Sequence, residues 1–429
     1  MTLAACTIVS PNYLSFARTV AASYVAQHPG QRFFVLIVAD LSDPAPFNVD
    51  ASFTPVMLGE IGLRDLRVQA MKYDILELNT NVKPTFMKHL IEAYGLGGLM
   101  YLDPDIFVYA PLEPVFAALD EGASAVLTPH MTAPVFDGKS PSEQDLLYNG
   151  TYNLGFIAVG SGAESRRLLD WWEERCLERG FSEGRTGLFV DQKWANHMPG
   201  LFERVVISRD AGLNMAYWNL HERVLVSDGN AYEVESPVSG RVPLRFFHFS
   251  GVELGESEVI SRNTNRYTLA ARPDLRGLFA EYRATVRGNQ GLAAETLPFG
   301  FDRMSDGTAV NRLARRLFAV HEERFRRVSG DGVDPFDAAG PFAQFARAQG
   351  LVKGKAAPPK ATWKQFNPRD RRVLVIHRLL RGLLQVLGPD RYELLMRYLS
   401  HITVLRHQGV FLRDPRWPED VEPGAGEMQ

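Results

Sequence analysis

The stretch from residue 99 to residue 108, LMYLDPDIFV, restricts the possible folds more than any other part of the chain. Its apolar run is interrupted once, by Asp103, Pro104 and Asp105, and then resumes. A short, continuous apolar run is typical of a strand buried in a parallel sheet, and such sheets belong to α/β proteins with helices on both faces. Ligands of these sheets bind at the carboxyl ends of the strands, so we expect the two aspartates to lie there.

The two aspartates also indicate a candidate metal site. A carboxylate without a partner is costly to bury, and a hard divalent cation is a natural partner because it takes oxygen ligands. Alternate residues of an extended chain point the same way, so Asp103 and Asp105 can face one ion. The alternative interpretation is a loop in which both carboxylates are solvated or cap the following helix.

The chain around this stretch alternates between strand and helix patterns. Apolar runs predict strands over residues 3–9, 33–39 and 55–58, and apolar residues at helical spacing predict helices over residues 13–27 and 81–94. This alternation predicts an α/β fold: a mostly parallel, Rossmann-like sheet with helices on both faces. We also expect a mainly helical extension at the C-terminal end.

Composition narrows the possible functions. The chain has 429 residues, of which 45% are hydrophobic, and this length suggests two or three domains. A formal net charge of -3 gives no basic footprint for nucleic acid. Two cysteines do not make a disulfide framework. Without a signal peptide or a long apolar stretch, the expected location is cytoplasmic, with peripheral attachment to the inner face of the membrane left open.

The segment YLDPDIFV resembles the D-x-D motif of GT-A glycosyltransferases. The similarity covers roughly the first 250 residues and is to glycosyltransferase family 8 and related bacterial sugar transferases. It implies a GT-A fold and transfer of a hexose from a nucleotide-diphosphate sugar, UDP-linked, to a glycan, lipid-linked or other acceptor, as in polysaccharide biosynthesis. It also implies that Mn²⁺ or Mg²⁺ binds at the two aspartates and that the anomeric configuration is retained.

The loop after the first predicted strand is a candidate nucleotide site. In a parallel sheet it opens on the ligand crevice, so Ser10, Asn12 and Tyr13 can meet a base or a ribose. Tyr13 offers a ring for stacking, and Asn12 offers both a donor and an acceptor. A turn with a helix cap is the alternative. The resemblance favours binding, although Ser10 stands where family 8 commonly has an acidic residue.

Further donor-site residues follow from the resemblance. Lys83 precedes a helix at a point where related transferases have a basic residue that contacts the sugar nucleotide. Asn153 and Gly155 lie in a segment similar to the N-x-G element that touches the donor sugar. Asp191 and Gln192 match an Asp-Gln pair placed beside the anomeric carbon. Without the resemblance, Lys83 reads as a solvated lysine and Asp191 as a helix cap.

The resemblance also implies a third metal ligand. His248 lies in an aromatic run, where a lone histidine is usually a core residue. Its H-x-x-G setting matches the histidine that completes the family's metal site with Asp103 and Asp105. The lysine and tryptophan that often follow in family 8 are absent, so Arg262 or Arg266 is the expected partner of the phosphates.

We predict three regions: a catalytic domain over residues 1–255, an extension over 256–352 packed on it, and a basic helical hairpin over 361–416. A Pro/Ala/Lys linker at 353–360 separates the last two. Residues 369–416 contain ten arginines and four acids, a net charge of +6. Such a hairpin can lie on an anionic membrane surface, or it can pack on the main domain or on a second copy in a homodimer.

Three other functions are alternatives for a chain with these motifs. A sugar-phosphate nucleotidyltransferase should carry a Gly-rich, basic loop after the first strand, which SPNYLSF does not provide. A phosphatase with an aspartate nucleophile should have a small residue and a threonine after its D-x-D, where this chain has Ile106 and Phe107. A carbohydrate-binding protein on a degenerate transferase fold remains open.

Overall fold

The computed structural model describes residues 2–49, 51–227, 229, 231–329, 334–352 and 371–412. Its strands are β1 (Leu3–Val9), β2 (Arg32–Ile37), β3 (Thr54–Met57), β4 (Gly98–Leu102), β5 (Ile106–Val108), β6 (Ala125–Pro129), β7 (Tyr152–Gly160), β8 (Ser182–Glu183), β9 (Leu188–Phe189), β10 (Val205–Ile207), β11 (Met215–Ala216), β12 (Val224–Ser227), β13 (Tyr232–Ser236), β14 (Gly240–Pro243) and β15 (Phe246–His248). Its α-helices are α1 (Leu14–Gln27), α2 (Leu66–Lys72), α3 (Ile75–Asn81), α4 (Lys83–Tyr94), α5 (Glu113–Asp120), α6 (Glu143–Asn149), α7 (Ala163–Arg179), α8 (Met198–Leu201), α9 (Arg276–Gly288), α10 (Arg312–Val320), α11 (Glu322–Ser329), α12 (Pro341–Ala348) and α13 (Arg371–Ile402).

A seven-stranded sheet forms the centre, with the strand order β10-β6-β7-β4-β1-β2-β3. Four of its pairs are parallel: β10 with β6, β4 with β1, β1 with β2, and β2 with β3. Strand β7 is antiparallel to both of its neighbours, β4 and β6. The predicted α/β class with a mostly parallel sheet is therefore confirmed.

Both faces of this sheet are buried, as expected where helices cover each side. Ala5, Phe33 and Val35 point to one face and share a hydrophobic cluster with residues of α1 and α5. Cys6 and Phe34 alternate with them, point to the other face and are also fully buried. On this side, α3 contacts β1, α4 contacts β4, and both helices contact α7.

The D-x-D stretch leaves the central sheet at the end of β4. The backbone N–H of Asp103 still donates to the carbonyl of Gly155 in β7, at 2.7 Å. The chain then turns, with the N–H of Ile106 donating to the carbonyl of Asp103, and enters β5. Strand β5 pairs antiparallel with β15, so that Ile106 lies opposite His248. This pairing brings a distant part of the chain beside the two aspartates.

The chain divides into two compact units. The first comprises Met1–Leu66 and Ile75–Gly300, and the second comprises Arg67–Asp74 and Phe301–Gln429. Within the first unit, α9 residues such as Phe279 and Tyr282 share a hydrophobic cluster with Phe247 and Phe249. Residue 255, where we predicted the catalytic domain to end, thus lies inside the first unit.

The C-terminal part of the described chain is helical. Helix α13 is interrupted at Gly388, which has a φ of 75° and is followed by Pro389, so it consists of two helical segments. The predicted linker at residues 353–360 lies outside the described residues. Within the described part of the chain, no helix combines the length and apolar character needed to cross a bilayer.

Candidate functional site

Asp103, Asp105 and His248 lie together at the carboxyl end of β4. Each offers one ligand atom, and these atoms lie within 4.8 Å of one another. The Nε2 atom of His248 is 2.9 Å from Oδ1 of Asp105 and 3.6 Å from Oδ2 of Asp103. The histidine is buried, whereas the two carboxylates are partly exposed. A group of two carboxylates and an imidazole open to one side can hold a divalent cation.

Gly155 makes room for this group. A Cβ atom at this position would lie 2.8 Å from Oδ2 of Asp103 and closer still to Cε1 of His248. No side chain fits there, because neither neighbour is the free end of a flexible chain. The glycine that was predicted to touch the donor sugar therefore has a steric reason to be a glycine: strand β7 passes directly against the candidate metal group.

Burial and the neighbouring charges shift the pKa values of Asp103 and His248 in opposite directions. Burial raises the pKa of Asp103, while the charges of Lys83 and His248 act against that shift. Burial tends to lower the pKa of His248, but the Asp105 and Asp103 carboxylates together outweigh it, and the net shift is upward. The two carboxylates thus favour a positive charge beside them, which is that of the protonated imidazole and which a bound cation would replace.

Asn214 determines which ring nitrogen of His248 faces the carboxylates. Its Nδ2 donates to Oγ1 of Thr128 at 2.8 Å and to Oδ1 of Asn153 at 3.0 Å, so its Oδ1 is the atom near Nδ1 of His248, at 3.3 Å. Because a carbonyl oxygen only accepts, Nδ1 keeps its proton, and Nε2 is the nitrogen that can release its proton and bind a ligand. The sequence analysis missed Asn214, and nothing in its local sequence distinguishes it from other asparagines.

Lys83 and Asp191 form a buried ion pair. The ammonium lies 2.5 Å from Oδ2 of Asp191 and donates to the carbonyl of Leu154 at 2.8 Å, and both charged side chains are 2% exposed. The ammonium also lies 4.1 Å from the ring centroid of Tyr101, whose hydroxyl donates to Oδ1 of Asp103 at 2.7 Å. One chain of contacts therefore joins Asp191 to the candidate metal group. Lys83, which was predicted to contact the sugar nucleotide, thus pairs with a protein carboxylate.

Asn153 occupies the centre of a second polar network. Its Oδ1 accepts from the N–H of Gly155 and from Asn214, and its Nδ2 lies 3.3 Å from Nε2 of His130. Burial lowers the pKa of His130 to about 4, so the ring is neutral and Nε2 can accept. The edge of the Trp218 ring system packs against His130. The sequence analysis did not select His130, because it precedes a polar loop and carries no motif.

Gln192 bonds backbone groups. Its Oε1 accepts from the N–H of Leu154 at 3.0 Å, and its Nε2 donates to the carbonyl of Asn149 at 3.1 Å. The backbone carbonyl of Asp191 accepts from the indole of Trp172 at 3.1 Å. The two residues of the Asp-Gln pair therefore make different contacts. Asp191 forms an ion pair with Lys83, and Gln192 bonds the backbone at the start of β7.

The predicted nucleotide loop follows β1, which is parallel to β4, so both strands end at the same edge. Ser10 is buried, and its hydroxyl accepts from Nδ2 of Asn79 at 2.9 Å. Asn12 is exposed, and Tyr13 is 45% exposed with its ring stacked on Phe16. The loop therefore presents one amide and one aromatic ring to solvent.

The arginine expected near the phosphates has another partner. The Nε of Arg266 donates to Oδ2 of Asp137 at 2.8 Å, and its side chain is 2% exposed. A further bond reaches the carbonyl of Pro141 at 2.8 Å, so Arg266 holds the loop between β6 and α6. Arg262 is exposed at the surface.

Comparison with known proteins finds relatives at low identity, and no protein-family model matches the chain. The chain is 28% identical over 197 residues to the uncharacterized protein YfnF of Bacillus subtilis (strain 168), which covers 43% of this chain and 60% of YfnF. It is 29% identical over 177 residues to the uncharacterized protein YfnD of the same strain, covering 40% of this chain and 53% of YfnD. The matched region spans less than two thirds of either relative.

Among solved structures, the chain is similar to three glycosyltransferases. For the galactosyltransferase LgtC in complex with donor and acceptor sugar analogs, the TM-score is 0.39 at 15% identity, covering 67% of this chain and 99% of LgtC. For the bifunctional glycosyltransferase WbbM, the TM-score is 0.38 at 10% identity, and the match covers 67% of this chain and 52% of WbbM. For a glycosyltransferase involved in the glycosylation of the major capsid of PBCV-1, the TM-score is 0.32 at 12% identity, and the match covers 50% of this chain and 86% of that protein.

Proposed function

We propose that this protein is a metal-dependent glycosyltransferase. It would move a sugar from a nucleotide-diphosphate sugar, UDP-linked, to a glycan, lipid-linked or other acceptor with retention of configuration. The observation that supports the proposal most directly is the Asp103–Asp105–His248 group at the carboxyl end of β4. The UDP-sugar donor and the stereochemistry rest on the resemblance of the D-x-D stretch.

The residues present fit a divalent cation. Two carboxylates and one imidazole with its Nε2 turned toward them make a donor set suited to Mn²⁺ or Mg²⁺. Gly155 leaves the space beside this set free of a side chain. When bound, the ion would neutralise the negative charge that develops on the leaving diphosphate. Asp103, Asp105 and His248 would hold it, and Asn214 would orient the imidazole.

Asp191 is proposed to lie at the donor sugar. Breaking the anomeric bond leaves positive charge on the sugar ring, and a carboxylate can stabilise it. Burial raises the pKa of Asp191, and the neighbouring Lys83 ammonium acts against that rise and favours the charged form. Asn153 and the backbone at Gly155 would contact the sugar hydroxyls, and Gln192 would keep that part of β7 in place.

The loop after β1 is proposed to hold the nucleotide. The exposed ring of Tyr13 would stack on the base, and the amide of Asn12 would bond the base or the ribose. Ser10 already accepts a hydrogen bond from Asn79, so its own hydroxyl proton is free to donate to a base carbonyl.

The metal group is tested by titrating Mn²⁺ and UDP by calorimetry, with hydrolysis of UDP-sugars as the activity readout. We expect Asp105→Ala to abolish Mn²⁺-dependent nucleotide binding without unfolding the protein, because the carboxylate is partly exposed and lies at a strand end. Asp120→Ala, an exposed carboxylate at the end of α5, is the matched control and should bind as the wild type does. Unchanged binding by a folded Asp105→Ala variant would refute the metal site.

The role of Asp191 is tested by Asp191→Asn, which keeps the shape and removes the charge. Turnover should fall by roughly 10² or more, with UDP and Mn²⁺ affinities within a few-fold. The change also leaves the buried Lys83 without its counter-charge, which costs about 3–5 kcal/mol of stability in such pairs. Urea unfolding must therefore accompany the kinetics. A folded variant with normal turnover would exclude Asp191 from the mechanism, and binding without any turnover by the wild type would favour a non-catalytic carbohydrate-binding protein.

A further inference from the structure

The first segment of α13, residues 371–387, exposes large apolar side chains. Val375 is 51% exposed, Ile376 53%, Leu379 64% and Val386 81%. A helix that packs on the rest of its own chain normally buries such residues. The apolar side of this segment is therefore left open in the described part of the chain.

Five of the seven exposed large apolar residues of this segment share one side of the helix, whereas Leu374 and Leu384 lie outside it. At 3.6 residues per turn, Val375, Ile376, Leu379, Leu383 and Val386 fall within about 100° of the helix circumference. This arc is wider than the narrow seam of a two-stranded coiled coil, which uses only two positions in seven. The pattern suits a broad, flat apolar surface better than a single partner helix.

The polar side of the same segment carries only positive charge. At the same helical spacing, Arg371, Arg378 and Arg381 fall together outside the apolar arc. Arg372 falls within the arc, one turn before Ile376 at the start of the segment. Residues 371–389 contain no aspartate or glutamate, so this segment has no acid with which to pair its arginines. Its partner should therefore supply negative charge next to an apolar layer.

We propose that residues 371–387 dock on an anionic lipid surface, with the apolar side in the acyl boundary and the arginines among the headgroup phosphates. Charge complementarity selects this partner, because a lipid surface combines anionic groups with an apolar layer immediately beneath them. A second copy of the same helix would provide no acids for these arginines, because residues 371–389 contain none. The inference is independent of the proposed glycosyltransferase function.

Exposed apolar residues continue beyond Gly388. Leu394 is 69% exposed and Tyr398 51%, and Val410 and Phe411 in the last described turn are 68% and 60% exposed. Tyrosine and phenylalanine side chains are suited to the boundary between headgroups and acyl chains. A second, less basic segment therefore also exposes apolar side chains, and in it Arg397 pairs with Glu393 within the helix.

Co-sedimentation of the full chain with vesicles tests the proposal. We expect binding to vesicles of equal parts phosphatidylglycerol and phosphatidylcholine, weakening as salt is raised, and little binding to phosphatidylcholine alone. Two double variants address the two contributions separately. Leu379→Ser with Val386→Ser removes apolar surface, and Arg378→Glu with Arg381→Glu reverses two charges. Each should weaken partitioning about tenfold or more.

The matched control makes the same charge change elsewhere. Arg179→Glu with Arg209→Glu alters two exposed arginines of the first unit and should partition like the wild type. Circular dichroism and sedimentation velocity accompany every variant. The proposal is overturned if the wild type does not bind the anionic vesicles, or if both α13 variants bind as strongly as the wild type. It is also overturned if the protein is a dimer that the Leu379→Ser, Val386→Ser variant dissociates, because the surface would then belong to a second copy.

Discussion

Asn214 shows how far the candidate metal group depends on a residue that is not a ligand. Its backbone φ of 55° lies in the left-handed region, and its side chain connects Thr128, Asn153 and His248. Asn214→Gly keeps that backbone conformation available and removes only the side chain. We expect the Mn²⁺ dissociation constant to rise about 10–100-fold, the usual effect of losing an outer partner of a metal-bound histidine. Calorimetric titration of Mn²⁺ measures it.

The control for this variant is Asp65→Gly. The backbone of Asp65 is also in the left-handed region, and the residue is not part of the site. It should leave the Mn²⁺ affinity unchanged, since it makes a comparable backbone change without touching the histidine. Equal affinities for Asn214→Gly and the wild type would mean that the β5–β15 pairing alone is sufficient to orient His248.

The buried His130 should make the free energy of unfolding depend on pH. Burial lowers the pKa of His130 from its ordinary value near 6.5 to about 4, so the unfolded chain takes up this proton at higher pH than the folded one. Stability is therefore full above pH 6.5 and falls progressively as the pH drops toward 4, by up to about 3 kcal/mol. Urea unfolding between pH 4 and 7, with EDTA present, measures this slope. His130→Gln should flatten it, and an equally steep slope in the variant would assign the dependence to other groups.

The residues of the site differ in how well the sequence predicted them. Asp103 and Asp105 stood out because two carboxylates interrupted an apolar run, which local pattern alone can reveal. The partner of Lys83 could not be predicted, because Asp191 is distant in the chain and only the fold brings the two together. Asn214 and His130 were missed for the same reason, since the contacts that give them importance are non-local.

At the scale of elements, β7 is the strand that shapes the site. It supplies Asn153, accepts from Asp103 and passes Gly155 against the candidate ligands. Gly155→Ala should lower the Mn²⁺ affinity at least tenfold and cost about 1–3 kcal/mol of stability, because the added methyl group collides with His248 and Asp103. Calorimetry and urea unfolding measure the two effects.

Gly162→Ala is the matched control for that substitution. Gly162 lies just before α7, and no atom outside its neighbours lies within 4 Å of an added Cβ. This variant should match the wild type in both measurements. Normal metal affinity in a stable Gly155→Ala variant would show that β7 can shift away from the ligands.

The positions of several strands and helices along the chain could be predicted from the sequence, but the relative directions of the paired strands could not. The apolar runs placed β1, β2 and β3 and the helical spacing placed α1 and α4 within two residues of their observed bounds. Nothing in these patterns reports that β7 runs antiparallel to its neighbours or that β5 pairs with β15. The direction and pairing of a strand depend on how the preceding connection brings the chain back to the sheet. A local apolar pattern contains no information about that connection.

At the scale of the whole molecule, the two proposals together predict a dependence on where the acceptor is. If α13 binds anionic lipid, the protein is concentrated at the vesicle surface. Arg378→Glu with Arg381→Glu should then leave transfer to a water-soluble acceptor unchanged and slow transfer to a lipid-linked acceptor in anionic vesicles about tenfold. Initial rates with the two acceptors measure this. Equal slowing with both acceptors would indicate a structural defect, and no slowing with either would separate α13 from acceptor access.

The pairing of β5 with β15 has a consequence for the order of folding. Asp105 and His248 become neighbours only when Ile106 meets His248 across a long intervening stretch of chain, and closing such a loop is entropically costly. We therefore expect the ligand group to form late, after the central sheet. An ion that binds only after Asp103, Asp105 and His248 have come together would leave the refolding rate almost unchanged. It would slow unfolding instead. Mn²⁺ would then prolong the lifetime of the native chain without speeding its formation.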